Sequence, residues 1–193
     1  MKLLPLDTPE LLELAAGWLA RKENHQWLDF GGDITPALLR VMAQRPSHFM
    51  RVYTADADET PIGILGLNAV SRAFGTATLW AVAGDKGFRR RGQVGFAATR
   101  FMGLAFRELG LRAINTWAVE INPSLRAIER VGFRYVGRLR QSHCIDGRLY
   151  DRLLFDLLAG ELRELERTRP QRAVAGAGRG LAARPATDLI RSD

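Results

Sequence analysis

Hydrophobic and polar positions along this 193-residue chain switch between two periods. Leu11, Leu12, Ala15 and Leu19 recur at helical spacing. Thr8 suits the N-cap of that helix and Pro9 its first position. "DITPALLRVMAQRPSHF" repeats the opening and gives a shorter helix that stops before Pro46. "FMRVYTADADETPIGILGLNAV" reads as two strands around a polar turn, Ala55 to Pro61, and "GTATLWAVAG" as a third, bounded by Gly75 and Gly84. A long helix over about Gly95 to Leu109 follows, with Gly110 as its stop, and then a strand in "LRAINTWAVE". "NPSLRAIERVGF" predicts a short helix with Asn122 as cap, Pro123 at the first position and Gly132 as terminator. "RYVGRLRQSHCIDGRLYDRLLFDLL" predicts a hairpin turning at Asp146-Gly147.

This order specifies mixed α and β structure on a largely antiparallel sheet. The strand-helix-strand unit over 76–119 is expected to bring two parallel strands together. The N-terminal "MKLLPLDTPELLELAAGWLA" opens somewhat like a secretion signal, but Asp7, Glu10 and Glu13 interrupt its apolar run, so it reads as a strand followed by a helix. From Thr168 the chain becomes rich in Ala, Gly, Arg and Pro and has no aromatic residue. The expected organisation is therefore one domain over 1–167 and a disordered tail over 168–193.

Composition narrows the chemistry. The chain is 47% hydrophobic, enough for one sizeable core. One cysteine rules out an internal disulfide and a multi-cysteine metal site, and His25, His48 and His143 lack ligand spacing, so no metal is expected. No segment approaches the length of a membrane span, and a cytoplasmic location is expected. The net charge of +7 comes mostly from arginine, the better bidentate partner for phosphate.

Arg89, Arg90 and Arg91 lead into Gly92, Gln93, Val94 and Gly95 just ahead of the long helix. A helix N-terminus leaves main-chain N–H groups without partners and is partly positive. Glycines let the main chain approach an anion there, and arginines add charge-assisted hydrogen bonds. The segment thus suits a phosphate-bearing ligand. Neither the P-loop pattern nor the dinucleotide fingerprint is present.

The stretch from Pro61 to Leu158 resembles the GNAT superfamily of acetyl-CoA-dependent N-acetyltransferases, most of all the branch with the ribosomal-protein alanine N-acetyltransferases. The likeness rests on a strand ending in "GDK", a basic residue three before a glycine, a helix ending "AFRELGL", the "NPS…ERVGF" segment and a "DG-x-x-YD" hairpin. It implies the GNAT fold, a mixed, mostly antiparallel sheet of six to seven strands flanked by helices. It also implies acetyl-CoA as acyl donor, its pantetheine arm held around Val82 and Ala83. The pyrophosphate would fall to Arg89-Arg90-Arg91-Gly92-Gln93-Val94, on the family pattern Arg/Gln-x-x-Gly-x-Gly/Ala. Val94 departs from that pattern, and Gly95 is the residue that could supply the missing room. Asn122 resembles the family asparagine that contacts the arm.

By the same resemblance His143 borders the acceptor site, where its imidazole suits a general base because it changes charge near neutral pH. Ser124 matches a serine proposed to protonate the leaving thiolate; Ile128 stands where other members carry a tyrosine. Glu120, at a strand end, is the alternative base. Cys144 alternates with His143 and is read as core. Trp27 and Phe30 fall in the region that lines the acceptor pocket in this fold.

The expected activity is transfer of an acetyl group to a primary amine by direct attack in a ternary complex. The acceptor is a protein N-terminus or a small molecule such as an aminoglycoside-like compound, a polyamine or an amino-acid derivative. No membrane partner is expected, nucleic acid is disfavoured, and a homodimer is compatible. The competing reading is a non-catalytic CoA-binding or nucleic-acid-binding module that uses the arginines and the basic tail. If 168–193 is a tail, its deletion leaves the melting temperature and acetyl-CoA affinity nearly unchanged. A large drop in melting temperature would instead mean that Leu181, Leu189 and Ile190 pack on the domain.

Overall fold

The structure, a computed structural model, describes residues 1–30, 33–55, 59–84 and 92–163. The expected tail therefore lies outside the described residues, as do Arg89, Arg90 and Arg91. Along the chain run β1 (Leu3–Pro5), α1 (Pro9–Ala20), α2 (Lys22–His25), α3 (Pro36–Gln44), β2 (Phe49–Thr54), β3 (Pro61–Ser71) and β4 (Thr76–Ala83). They continue with α4 (Gln93–Leu109), β5 (Ala113–Val119), α5 (Leu125–Val131), β6 (Arg134–Ile145) and β7 (Arg148–Leu158). No helix among the described residues is long and apolar enough to cross a membrane.

The two Thr-Pro openings behave as the sequence predicts. Thr8 Oγ1 accepts the Leu11 N–H at 3.3 Å and Thr35 Oγ1 the Leu38 N–H at 3.2 Å, which caps α1 and α3. The helix of "NPSLRAIERVGF" starts later than expected. Asn122 Oδ1 accepts the Ser124 N–H at 2.8 Å and shapes a turn ahead of the helix, and Ser124 is the cap of α5. The long helix starts earlier, at Gln93, with Gly92 as its cap.

Seven strands form one sheet in the order β1-β2-β3-β4-β5-β7-β6. All pairs are antiparallel except β4 and β5, the parallel pair expected from the crossover through α4. Helices cover both faces. On one face, Phe101, Met102 and Ala105 of α4 pack on Leu65, Leu67, Leu79, Ile114, Phe155 and Leu157. This core draws on strands from both halves of the sheet. On the other face, Leu12, Ala15 and Leu19 of α1 and Leu39 and Met42 of α3 pack on Met50, Val52, Ile64 and Val82. That second core takes nothing from β5, β6 or β7. β3 lies between the two cores, which explains its unbroken apolar run.

Gly66 marks a close approach in the second layer. A Cβ at this position would meet the indole of Trp80, which is held by Nε1 donation to Asn68 Oδ1 at 2.9 Å and by the edge of Phe30, 5.2 Å between centroids. Gly66→Ala is expected to cost about 1–3 kcal/mol through overpacking. At this chain length that lowers the melting temperature by roughly 2–4 °C per kcal/mol, read by thermal denaturation. An unchanged melting temperature would show that Trp80 can shift freely.

Candidate active site

The parallel pair is short. β4 and β5 pair only from Thr76↔Ala113 to Leu79↔Thr116. Beyond that point β4 continues against β3 as far as Ala83, and β5 continues against β7 as far as Val119. The sheet therefore splits in its middle. Thr116 Oγ1 donates to the Leu79 carbonyl at 2.9 Å at the fork. Strand parity decides which groups face the gap. Leu79 O points toward β5, and Gly84 N–H points toward β3, where it meets Ile62 O at 2.9 Å. Successive residues alternate, so Ala81 and Ala83 aim their main-chain groups into the gap, while Val82 pairs with Ile64. The Val82 side chain is buried in the second core. Ala81 is exposed although it lies on a central strand.

The start of α4 follows the end of β4. Gly92 adopts φ +67°, a left-handed conformation that disfavours most side chains, and among the described residues beyond its chain neighbours no atom lies within 4 Å of where its Cβ would be. Gly92 itself has no side chain to cap the helix. Gln93, Val94 and Gly95 form its first turn, where main-chain N–H groups lack helical partners. Gln93 Oε1 is buried without a hydrogen-bond partner among the described residues. A glycine-led N-terminus, an orphan acceptor and an exposed main-chain edge fit a long ligand that has amide groups along its length and an anionic end.

Glu120 lies just past β5. Its N–H donates to Asp151 O at 3.0 Å, and its Oε1 accepts the Asp151 N–H at 3.1 Å. Ser124 is exposed, and its side chain makes no capping hydrogen bond.

His143 occupies a different setting. β6 bulges between Leu139 and His143, placing three residues opposite Asp151 alone. Asp151 Oδ1 accepts the Gln141 N–H at 2.8 Å, with Gln141 at φ +49°, and Oδ2 takes Arg138 at 3.2 Å. His143 is buried beyond the bulge and Cys144 is exposed. The alternation holds, but Cys144 is not core: it is His143 that faces the covered side of the sheet. The His143 Nε2–H donates to Gln26 O at 2.8 Å, and Nδ1 accepts from Arg152 Nε and Nη2 at 3.3 and 3.1 Å. The carbonyl can only accept, so Nε2 is the donor of this pair, and Nδ1 faces the Arg152 guanidinium. Arg152 also stacks 3.9 Å over Trp117 and pairs with Asp29 at 3.1 Å.

His143 contacts Gln26 and Arg152, whereas Glu120 contacts the main chain of Asp151. Gln26, Asp29, Ala81, Trp117 and Arg152 are the site residues that sequence reasoning missed. One signal was available for Arg152, since alternation from Tyr150, opposite His143 in the hairpin, puts it on the histidine's face.

The model of the acetyltransferase (GNAT) family matches residues 18–133. Among solved structures, the chain is similar to spermidine N-acetyltransferase from Vibrio cholerae in complex with CoA and spermine, at TM-score 0.73 and 18% identity over 83% of this chain and 96% of that one. It is similar to ribosomal-protein-S5-alanine acetyltransferase from Vibrio fischeri, at TM-score 0.67 and 16% identity over 84% and 93%. A probable GNAT acetyltransferase from Chromobacterium violaceum gives TM-score 0.66 and 27% identity over 82% and 87%. No curated protein matches the chain. The family match spans the split strands, the opening of α4 and the whole of α5, and the chain belongs to the GNAT family of acetyl-CoA-dependent N-acetyltransferases.

Proposed function

We propose that the protein transfers the acetyl group to a primary amine by direct attack, with both substrates held in the gap between β4 and β5. The observation that carries this reading is the fork beyond Leu79 and Thr116, with a glycine-led helix N-terminus at one end of it. Acetyl-CoA supplies an acyl group already activated as a thioester, so no enzyme nucleophile is needed. The main-chain edge at Ala81 pairs with the pantetheine arm and helps to polarise the thioester carbonyl. The first turn of α4 at Gly92, Gln93, Val94 and Gly95 takes the pyrophosphate, with Arg89, Arg90 and Arg91 as charge partners. Asn122 stays a turn residue beside the arm. Alignment of the two substrates provides much of the acceleration.

Proton handling falls to the end of β5 and the start of α5. Glu120 keeps one oxygen on the Asp151 N–H and uses the other to accept the ammonium proton, directly or through a water. Ser124 Oγ makes no capping hydrogen bond, and its hydroxyl donates a hydrogen bond to the leaving thiolate.

Isothermal titration with acetyl-CoA, beside an amine panel followed by thiol release, tests the activity. Tight acetyl-CoA binding with no amine acetylated would overturn it. For the helix opening, Gly92→Val is expected to lower acetyl-CoA affinity about tenfold or more, equivalent to about 1.4 kcal/mol, in a protein that keeps its circular dichroism. Gly92→Asn tolerates the left-handed conformation and should lose less. Unaltered affinity in a folded Gly92→Val protein would sink the pyrophosphate assignment.

For the base, Glu120→Gln keeps an oxygen for the Asp151 N–H but cannot take up a proton. Turnover should fall roughly 10²-fold with little change in melting temperature or acetyl-CoA affinity. Turnover close to wild type would remove Glu120 from the mechanism.

A further inference from the structure

The segment from Arg21 to Phe30 crosses the fork. On the β4 side, Arg21 Nη1 donates to Gly84 O at 2.7 Å, and Phe30 meets Trp80 edge-on. On the far side, Lys22 pairs with Asp146 at 2.8 Å, Gln26 O meets His143, and Asp29 meets Arg152. A cavity of about 580 Å³ opens along this strap, lined by Arg21, Lys22, Glu23 and Gln26. Burial of apolar side chains fastens the strap to one half of the sheet only, because the second core takes nothing from β5–β7. Its hold on the other half is polar, and within that hold the contact at Gln26 O is the one made to a buried side chain, His143.

We infer that His143 is a positioning residue of the acetyl transfer: it pins the strap at Gln26 over the fork and so shapes the subsite for the acceptor amine. This rests on the proposal that the amine binds in the fork. The ring's two nitrogens are both committed, one to the strap and one to Arg152. Arg152 in turn is fixed by stacking on Trp117 and by Asp29, itself on the strap. The charged groups facing the imidazole are thus the Arg152 guanidinium and, behind it, the Asp29 carboxylate. A proton on Nδ1 would meet a guanidinium already in place, so the arrangement works as a clamp and leaves no lone pair for an amine. The neighbouring β6 bulge, held by Asp151, sets Arg152 opposite Leu139 rather than Gln141.

Position and proton transfer predict different kinetics. His143→Ala is expected to raise KM for the amine about tenfold or more while kcat changes less, with acetyl-CoA affinity unchanged. His143→Gln places an amide N–H near the Nε2 position and cannot act as a base near neutral pH. It is expected to recover most of the lost KM and to keep the wild-type pH–rate profile. If His143→Gln is as impaired as His143→Ala and the acidic limb of the profile disappears, the residue is a base and the inference falls.

Amide hydrogen exchange reads the clamp without any turnover. The Trp27 and Leu28 N–H groups are bonded within the strap, to Asn24 O and His25 O. They should exchange faster in His143→Ala and return toward wild-type protection in His143→Gln. Equal protection in wild type and His143→Ala would overturn the clamp even if no acceptor amine is found. An inactive wild type with the expected exchange pattern would instead count against the proposed function alone.

Discussion

The Thr116 hydroxyl on the Leu79 carbonyl sits at the last rung of the one parallel ladder in the sheet. Past this rung, two central strands separate and expose main-chain edges that a sheet would ordinarily satisfy. Unpaired main-chain groups in a protein interior are costly, so a split of this kind suits a site where a ligand takes the partner strand's place. The fork therefore explains why the site lies in the middle of the fold rather than on a loop. It also explains why the chemistry needs so few special side chains. In the proposed reading, the main-chain edge at Ala81 and the start of α4 hold the donor.

The packing holds the fork open without letting the halves drift. At the closed end, the core under α4 joins Leu79 of β4 to Ile114 of β5 and to Phe155 and Leu157 of β7. On the opposite face, α1 and α3 bury their apolar side chains against the β2–β4 half alone. The strap from that half reaches the β6–β7 half through hydrogen bonds and ion pairs. Exposed ion pairs such as Lys22–Asp146 contribute at most about 1 kcal/mol, so the buried histidine contact carries more of the fastening. The apolar layers set the architecture, and a small polar network sets the geometry over the gap.

That network depends on an irregularity. With uninterrupted pairing from the Asp146-Gly147 turn, Arg152 would lie opposite Gln141; the bulge sets it opposite Leu139 instead. Asp151 fills the bulge with its carboxylate and, through its main chain, also holds Glu120. One residue thus connects the candidate base at the end of β5 to the strand that carries the clamp.

The elements themselves were legible in the sequence, because they follow from local rules. Thr-Pro openings capped two helices, alternating and continuous apolar runs marked the strands, and Asp146-Gly147 turned the hairpin. The crossover through the long helix specified the parallel pair. The Arg-Gly segment ahead of that helix pointed to an anion, and its order among the neighbouring motifs pointed to the family. What tertiary structure decided was everything that depends on where separate strands meet. The fork arises from how far β4 and β5 pair, and no local pattern encodes that length. Which main-chain groups face the gap followed from register against β3, which moves the donor edge to Ala81. Cys144 is exposed and His143 buried because the segment from Arg21 to Phe30 covers the histidine's side of β6, and hydropathy cannot say which side of an edge strand a distant segment will cover. The role of His143 was set by Gln26 and Arg152, residues 117 and 9 positions away, whose contacts exist only once the strap has crossed the sheet.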